Sequence, residues 1–314
     1  MVPQRAESTR ITQETVCPPP STGCAPGRCW FTYLHLAASK PCTDALLDRR
    51  VTAIAYETVE AARRSLPLLA PMSEVAGRLA PQVGAYHLMR PAGGRGVLPG
   101  GVPGTHPARV VVLGAGVSGM NATAIAVGLG ADVTLLDIDV DKLRAANAVY
   151  RGRVRTVASN GFEIQRAVRD ADLVIGAVLV PGAKAPTLVS NELVARMKPG
   201  AVLVDIAIDQ GGCFADSRPT THAEPTYPVH DTVFYCVANM PGAVPYTSTY
   251  ALTNATLPYA VRLADLGWRR ALRADPGLAA GLNTHDGHVT NQPVATAHAL
   301  RPVPVADALV IRAG

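Results

Sequence analysis

A glycine-rich turn that directly follows an apolar strand is the sequence feature that most constrains how this chain folds. The apolar residues 110–113 are followed at once by the pattern Gly-x-Gly-x-x-Gly, with its glycines at Gly114, Gly116 and Gly119. The first glycine permits a tight turn, the second lets the backbone approach a pyrophosphate, and the third lets helix and strand pack closely. Val117 then opens a helix whose free N–H groups point at the phosphates. The pattern therefore predicts a dinucleotide-binding turn.

An acidic residue at the end of the next apolar strand indicates which dinucleotide is bound. Residues 133–136 form that strand, and Asp137 follows them, 18 residues after Gly119. A carboxylate at this place accepts hydrogen bonds from the ribose hydroxyls and repels a 2′-phosphate, which favours NAD over NADP. A glycine-rich turn in another kind of α/β protein is the alternative. The order strand, glycines, helix, strand and acid argues against that alternative.

Apolar runs of strand length alternate with helical segments around this motif. We predict strands at 109–113, 132–137, near Val154, at 173–178 and at 201–205, and helices at 117–129, 141–149, 161–168 and 190–196. Such runs, alternating with helices, are typical of a parallel sheet that is covered on both faces. The predicted fold class is therefore α/β, with a doubly wound parallel-sheet NAD domain of the Rossmann type.

Outside this alternation, local signals predict the structure. Residues 1–29 show neither a helical nor a strand period, so we expect them to be irregular. Ser73 is predicted to cap a helix that runs to about Met89 and that Pro81 kinks or interrupts. Further strands are expected at 31–34 and 52–56, and further helices at 43–49 and 245–275. The tail after Gly281 is expected to be loose.

Composition narrows the class of protein. The chain has 314 residues, of which 48% are hydrophobic and 17% charged, and its net charge is +5. Its basic residues are scattered and no Lys/Arg run has interleaved aromatics, so we expect no nucleic-acid partner. No apolar run reaches the roughly 18 residues of a membrane helix, and residues 1–30 lack the apolar core of a signal peptide. We therefore expect a cytoplasmic protein with free thiols and no membrane association.

Three loops that follow predicted strands carry the residues best placed for chemistry. These loops are 180–182, 206–212 and 237–241, and ligands of open α/β sheets bind beyond such strand ends. Asp209, in the second loop, is a carboxylate suited to catalysis or to binding. His35 follows an apolar strand and can titrate near neutral pH as an acid or base. Taken alone, each of these two residues also fits a purely structural role.

Several long strings of residues carry a resemblance to a known family. They are FTYLHLAAS (31–39), LPLLAPMSEVAGRLAPQVGAYHL (66–88), GGRGVLPGGVPG (93–104), ADLVIGAVLVPGAKAP (171–186), KPGAVLVDIAIDQGGC (198–213) and FYCVANMPGAVPYTSTYALTNATLPY (234–259). From Phe31 to about Asn283 the chain resembles the bacterial L-alanine dehydrogenases of the alanine dehydrogenase/transhydrogenase family. The resemblance implies reversible oxidative deamination of L-alanine to pyruvate and ammonia with NAD. It also implies that the chain forms a homo-oligomer, a hexamer. We predict no metal-binding residues.

The resemblance implies roles for individual residues, position by position. His35 matches the catalytic acid/base of the family, and Asp209 matches an active-site aspartate that positions the water or ammonia. Together with the glycine turn, the implied cofactor-binding residues are Ser73, Gly114, Gly116, Val117, Gly119, Asp137, Lys142, Ser159, Val178, Leu179, Ile206, Asp209, Arg218, Val237, Asn239 and Met240. In the implied reaction, hydride leaves the alanine Cα for the nicotinamide C4. Water then attacks the imine while His35 and Asp209 move protons.

The resemblance divides the chain into four parts and predicts an incomplete second α/β domain, the substrate domain. The parts are 1–29, irregular and unlike the family; 30–72, a remnant of the substrate domain; 73–240, the NAD domain; and 241–314, the C-terminal part of the substrate domain with a tail. Family members carry an arginine for the substrate carboxylate and a Lys-Glu-Pro motif whose lysine holds the carbonyl. At the place of that lysine this chain has Gln13.

These departures predict a chain that is N-terminally truncated, or frameshifted between about Val16 and Trp30, with impaired activity because charge-assisted contacts to the substrate are lost. Two other functions remain open. One is a catalytically dead NAD-binding remnant, which the missing cations favour. The other is the NAD-binding subunit of a transhydrogenase, which the His35 segment and the string 209–212 fit less well than they fit a dehydrogenase.

Overall fold

The computed structural model of the chain describes residues 9–11, 29–178 and 185–310, with the side chains of 9–11 and of Arg63 left aside. These residues fall into two compact units. The first contains the described residues up to Pro71 and those from Thr249 onward, and the second contains those from Met72 to Ser248. Leu179 and Gln13, which the sequence singles out, lie outside the described residues.

The secondary-structure elements are numbered in chain order. The strands are β1 (Thr9–Ile11), β2 (Cys29–Thr32), β3 (Thr52–Ala55), β4 (Arg109–Leu113), β5 (Asp132–Asp137), β6 (Val154–Ala158), β7 (Leu173–Gly176), β8 (Val202–Asp205), β9 (Thr226–Val229), β10 (Thr232–Tyr235), β11 (Leu282–His285) and β12 (His288–Val289). The helices are α1 (Lys40–Asp48), α2 (Ala70–His87), α3 (Val117–Gly128), α4 (Val140–Tyr150), α5 (Gly161–Arg169), α6 (Asn191–Val194), α7 (Pro245–Leu266), α8 (Trp268–Ala274), α9 (Pro276–Ala279), α10 (Gln292–Ala297) and α11 (Val305–Ala308). Across the described residues, no helix is both long and apolar enough to cross a membrane.

The second unit is built on a sheet whose strand order is β6-β5-β4-β7-β8-β10-β9. All neighbouring strands pair in parallel except β10 and β9, which form an antiparallel edge. The chain first builds outward from β4 through β5 to β6, and then returns to the other side of β4 with β7. This reversal confirms the predicted doubly wound fold, and it brings the ends of β4 and β7 together, where such sheets bind ligands.

Apolar side chains cover both faces of this sheet. One core cluster includes Val110, Val112 and Leu135, and the other includes Val111 and Leu113. Alternate residues of β4 therefore enter opposite cores, as expected where successive side chains of a strand point to opposite faces. The prediction of strands and helices over 109–205 is confirmed, although β7 ends at Gly176, two residues earlier than predicted.

The first unit contains a separate mixed sheet with the order β1-β2-β3-β11-β12. Strands β1, β2 and β3 pair in parallel, whereas β11 runs antiparallel to β3 and β12 antiparallel to β11. Two expectations are wrong here. The segment 1–29 is not wholly irregular, because Thr9–Ile11 is a strand paired with β2. The tail after Gly281 is not loose, because β11 lies inside the sheet.

The sequence pattern does not predict β11 because the residues of this strand are mostly polar. Asn283, Thr284 and His285 are nevertheless buried, and each side chain makes at least one hydrogen bond, although the Oδ1 of Asn283 has no partner among the described residues. The hydroxyl of Thr284 donates to the Val51 carbonyl oxygen (2.9 Å), and the imidazole Nδ1 of His285 lies 2.9 Å from the Thr52 hydroxyl. Buried polar groups with partners avoid the desolvation cost that normally keeps such residues outside.

Helix α2 also differs from its prediction. It begins at Ala70, so Ser73 lies in its first turn rather than at its N-cap, and the helix continues through Pro81 without a break. Packing explains this continuity. A Cβ on Gly77 would lie 2.3 Å from the carbonyl oxygen of Ser118 in α3, and one on Gly84 would lie 2.7 Å from the side chain of Leu173. Close tertiary contacts on both sides of Pro81 outweigh the one hydrogen bond that proline removes.

Two glycines of α3 provide a matched test of how tightly the glycine turn is packed. A Cβ on Gly119 would lie 1.7 Å from the carbonyl oxygen of Gly114, whereas one on Gly128 meets nothing within 4 Å. We expect Gly119→Ala to lower the free energy of unfolding by about 3 kcal/mol or more, because backbone must move. Gly128→Ala should leave it unchanged or raise it by up to about 1 kcal/mol. Urea unfolding measures both, and equal effects would contradict the close packing.

Candidate functional site

The glycine turn after β4 forms an open cradle at the start of α3. Gly114 has a φ of +104°, and a Cβ there would lie 2.7 Å from the Ala177 carbonyl oxygen. Gly116 is the N-cap residue of α3 and has no side chain with which to cap the helix. No atom lies within 4 Å of the place where a Cβ on Gly116 would stand. The first turn of α3, which starts at Val117, therefore has no side-chain cap, and the space beside Gly116 is open. This arrangement fits an anionic ligand group that approaches the backbone closely.

Asp137 connects the second strand of this site to the glycine turn. Its side chain is 9% exposed. Oδ2 accepts the N–H of Ala115 at 2.6 Å, and Oδ1 accepts the N–H of Asp139 at 2.8 Å. The ammonium of Lys142 lies 3.9 Å from Oδ2. The sequence suggests only a ribose contact for Asp137, and its hold on the turn is visible only in the structure.

Four further residues predicted to bind the cofactor lie on different elements of the second unit. Ser159 comes directly after β6, is partly buried, and its N–H donates to the Asp137 carbonyl oxygen at 2.9 Å. Val178 follows β7 and is partly buried. Ser73 is partly buried on α2, the helix that packs against α3. Arg218 is exposed, with its guanidinium 3.9 Å from the centre of the Tyr227 ring.

The loops after β8 and β10 meet through Asp209. After β8, residues Ile206–Gln210 form a short 3-10 helix, on which Ile206 is partly buried and Asp209 is exposed. The Asp209 Oδ1 accepts the backbone N–H of Asn239 at 3.2 Å. Asn239 has a φ of 51° and is exposed. Its neighbours Val237 and Met240 are buried and anchor the second loop in the core.

His35, which belongs to the first unit, has an unusual backbone. It follows β2 with a φ of 47°, in the left-handed region that costs a non-glycine residue about 1–2 kcal/mol. The carboxylate of Glu57, only 5% exposed, offsets this cost. Its Oε1 accepts the N–H of His35 at 2.6 Å and the N–H of Leu34 at 3.2 Å. The rings of His35 and Tyr33 stack, with their centroids 5.9 Å apart.

Glu57 is a residue that sequence reasoning misses. It lies in a short 3-10 helix after β3, where a lone glutamate looks like an ordinary surface residue. Burial, assisted by the Glu57 charge, raises the pKa of Tyr33 far above its usual value, so Tyr33 stays neutral and donates to the Leu68 carbonyl oxygen at 2.5 Å. The fixed Tyr33 ring and the Glu57 carboxylate together hold His35 in its strained conformation.

Two family models match the chain. The model described as alanine dehydrogenase/PNT, C-terminal domain, matches residues 80–292, and the model described as alanine dehydrogenase/PNT, N-terminal domain, matches residues 13–76. The N-terminal match begins inside the segment 1–29, for which the sequence alone predicts no family resemblance.

Individual relatives agree with the family models. The alanine dehydrogenase of Mycobacterium tuberculosis is 68% identical over 270 residues, which span 86% of this chain and 73% of the relative. The alanine dehydrogenase of Mycolicibacterium smegmatis is 66% identical over 269 residues, 86% of this chain and 72% of the relative. Among solved structures, an L-alanine dehydrogenase superposes with a TM-score of 0.80 at 52% identity, covering 88% of this chain and 76% of that one. The chain belongs to the alanine dehydrogenase/PNT family.

Proposed function

We propose that this chain is an alanine dehydrogenase, which converts L-alanine and water to pyruvate and ammonia with NAD and also runs the reverse reaction. The observation that carries this proposal is the 68% identity over 270 residues with the alanine dehydrogenase of Mycobacterium tuberculosis. The reaction removes two electrons and a proton from the alanine Cα as hydride. A nicotinamide cofactor, when bound, supplies the acceptor for that hydride.

The chain's own residues suit the binding of this cofactor. We assign the pyrophosphate to the cradle at Gly116, because the space beside it is open and the N–H groups at the start of α3 attract anions. We assign the adenosine ribose to Asp137 and Lys142. The further contacts proposed for the cofactor are Ser73, Ser159, Val178, Leu179, Ile206, Asp209, Arg218, Val237, Asn239 and Met240.

NAD is the proposed form of the cofactor because of Asp137. Each oxygen of this buried carboxylate already accepts one backbone N–H, and carboxylate oxygens have further lone pairs for ribose hydroxyls. A 2′-phosphate would meet a negative charge held in place by those two contacts. The proposal therefore rests on a fixed charge rather than on a mobile side chain.

We propose proton-transfer roles for two residues. His35 accepts the proton of the water that adds to the imine carbon and returns a proton to the leaving amine. Asp209, an exposed carboxylate, orients the water or ammonia and stabilises positive charge on nitrogen. We also propose, from the family resemblance, that the chain assembles as a homo-oligomer, a hexamer. From its isolated cysteines we propose that it works in the cytoplasm.

Replacing His35 or Asp209 tests the proposed function. We expect His35→Asn and Asp209→Asn to lower kcat for alanine oxidation by about 100-fold or more, because each removes a proton-transfer group. The controls His106→Asn and Asp231→Asn alter exposed residues of the second unit and should keep normal kcat. Initial rates of NADH formation measure all four. A wild-type chain that binds NADH but does not oxidise alanine would instead support the dead NAD-binding protein.

Replacing Gly116 tests the assignment of the pyrophosphate. The Cβ of Gly116→Ala would stand in the open space of the cradle, so we expect NADH to bind at least about tenfold more weakly. Stability should fall by no more than about 1 kcal/mol, the usual effect of alanine at an N-cap. NADH fluorescence titration and urea unfolding measure the two effects, with Gly128→Ala as the control. Unchanged NADH affinity would place the pyrophosphate elsewhere.

Replacing Asp137 tests the preference for NAD. Asp137→Asn removes the charge and also turns one acceptor into a donor that faces a backbone N–H. A disturbed turn weakens both cofactors alike, whereas loss of the charge acts on NADP alone, so we expect the NAD-to-NADP ratio of kcat/KM to fall about tenfold or more. Asp141→Asn is the control, because Asp141 lies four residues further along the chain and is 84% exposed. Steady-state kinetics with both cofactors measures the ratio. An unchanged ratio would show that another group selects the cofactor.

A further inference from the structure

The turn that carries Asp209 is fixed at both ends by one buried side chain. Asp205 is the last residue of β8 and is 1% exposed. Its Oδ1 accepts the N–H of Ala207 at 2.9 Å, at the start of the turn. Its Oδ2 accepts the N–H of Cys213 at 2.8 Å, at the end of the turn. The segment 206–212 is therefore closed into a loop by one carboxyl group.

Further contacts complete the environment of Asp205. The hydroxyl of Ser217 donates to Oδ2 at 2.5 Å, and the thiol of Cys213 lies 3.5 Å from Oδ1. Gly212, with a φ of +75°, leaves room for them, because a Cβ there would lie 2.8 Å from Oδ2. Burial raises the pKa of Asp205, and the hydrogen bonds from Ser217, Cys213 and Ala207 oppose that rise. The group is therefore surrounded by donors, as an acceptor needs to be.

Asp209 lies between the two points where Asp205 holds the chain. Backbone hydrogen bonds stiffen the turn from within, since the N–H of Gly212 donates to the Ala207 carbonyl oxygen at 3.0 Å. On its outer side Asp209 accepts the N–H of Asn239. With the base of the turn fixed by Asp205, the Asp209 carboxylate has a defined position.

We propose that Asp205 is a positioning residue for the reaction, which acts by fixing the turn that presents Asp209. This inference rests on the proposed function for its catalytic consequence. Asp205 is buried, so it acts through the turn and not by touching the substrate. Nothing in its sequence context separates it from an ordinary strand residue, and the resemblance assigns no role to it.

Asp205→Asn tests the proposal because an amide keeps the shape but turns one acceptor into a donor that faces N–H groups. We expect kcat to fall by about 10- to 100-fold, as misplacement of a reacting group does. The affinity for NADH should fall less than kcat does, because the glycine turn and Asp137 do not depend on Asp205 and only the proposed contacts of the turn 206–212 do. Hydrogen exchange should accelerate across 206–213 relative to the rest of the second unit.

Asp172→Asn is the matched control. Asp172 is a buried carboxylate, 5% exposed, that accepts the N–H of Arg109 at 2.8 Å and pairs with Lys198 at 2.9 Å, at the start of the same sheet. We expect Asp172→Asn to lower the free energy of unfolding. It should leave hydrogen exchange in 206–213 and kcat per folded molecule unchanged. A merely structural role for Asp205 would give the same pattern as this control, and that result would overturn the proposal.

Ser217→Ala keeps the test decisive if Asp205→Asn fails to fold. This variant removes one hydrogen-bond donor to the Oδ2 of Asp205. We expect a loss of kcat and an acceleration of hydrogen exchange in 206–213, both smaller than those expected for Asp205→Asn. Wild-type values of both would overturn the proposal. If the wild-type chain does not oxidise alanine, the proposed function fails. The exchange measurement then still decides whether Asp205 fixes the turn.

Discussion

Buried carboxylates that accept backbone N–H groups hold the loops on which the candidate site depends. Asp137 holds the glycine turn, Glu57 holds the backbone of His35, and Asp205 holds the turn around Asp209. In each case an acidic residue at or just beyond the end of a strand binds N–H groups that no regular ladder satisfies. Hydrogen bonds to a charged acceptor are stronger than neutral ones, so one side chain can fix several residues of irregular backbone.

Close backbone packing is the second constraint, and it works with the first. The glycine turn can approach β7 and α3 only because Gly114 and Gly119 lack a Cβ, and Asp137 then fixes Ala115 between them. Of the three glycines of this turn, Gly116 is the one with no atom within 4 Å of the place where a Cβ would stand. Packing therefore shapes this edge of the sheet so that main chain rather than side chain is presented to a ligand, and anions bind well to such surfaces.

The sequence predicts the second unit well because its strands are continuous apolar runs and its helices alternate with them. The prediction from sequence is wrong where contacts between distant parts of the chain determine the local structure. Strand β11 is polar, and its burial depends on partners such as Val51 that are distant along the chain. Helix α2 begins at Ala70, before the N-cap that Ser73 predicts, and the described contacts do not explain its earlier start. Glu57 and Asp205 carry no local signal, since the donors that they accept are fixed only by the folded chain. The resemblance supplies His35 and Asp209, which residue patterns alone leave undecided.

The place of β11 in the first sheet sets an order for folding. Strand β3 ends at Ala55, and its partner β11 begins at Leu282, so the chain between them includes the whole second unit. During synthesis the second unit can complete its sheet from contiguous chain, whereas β3 cannot pair with β11 until the chain that follows the second unit has been made. Until then, the edge of β3 that later pairs with β11 presents unpaired N–H and carbonyl groups to other chains. The first unit is thus the part of this protein that most needs protection while it is being made.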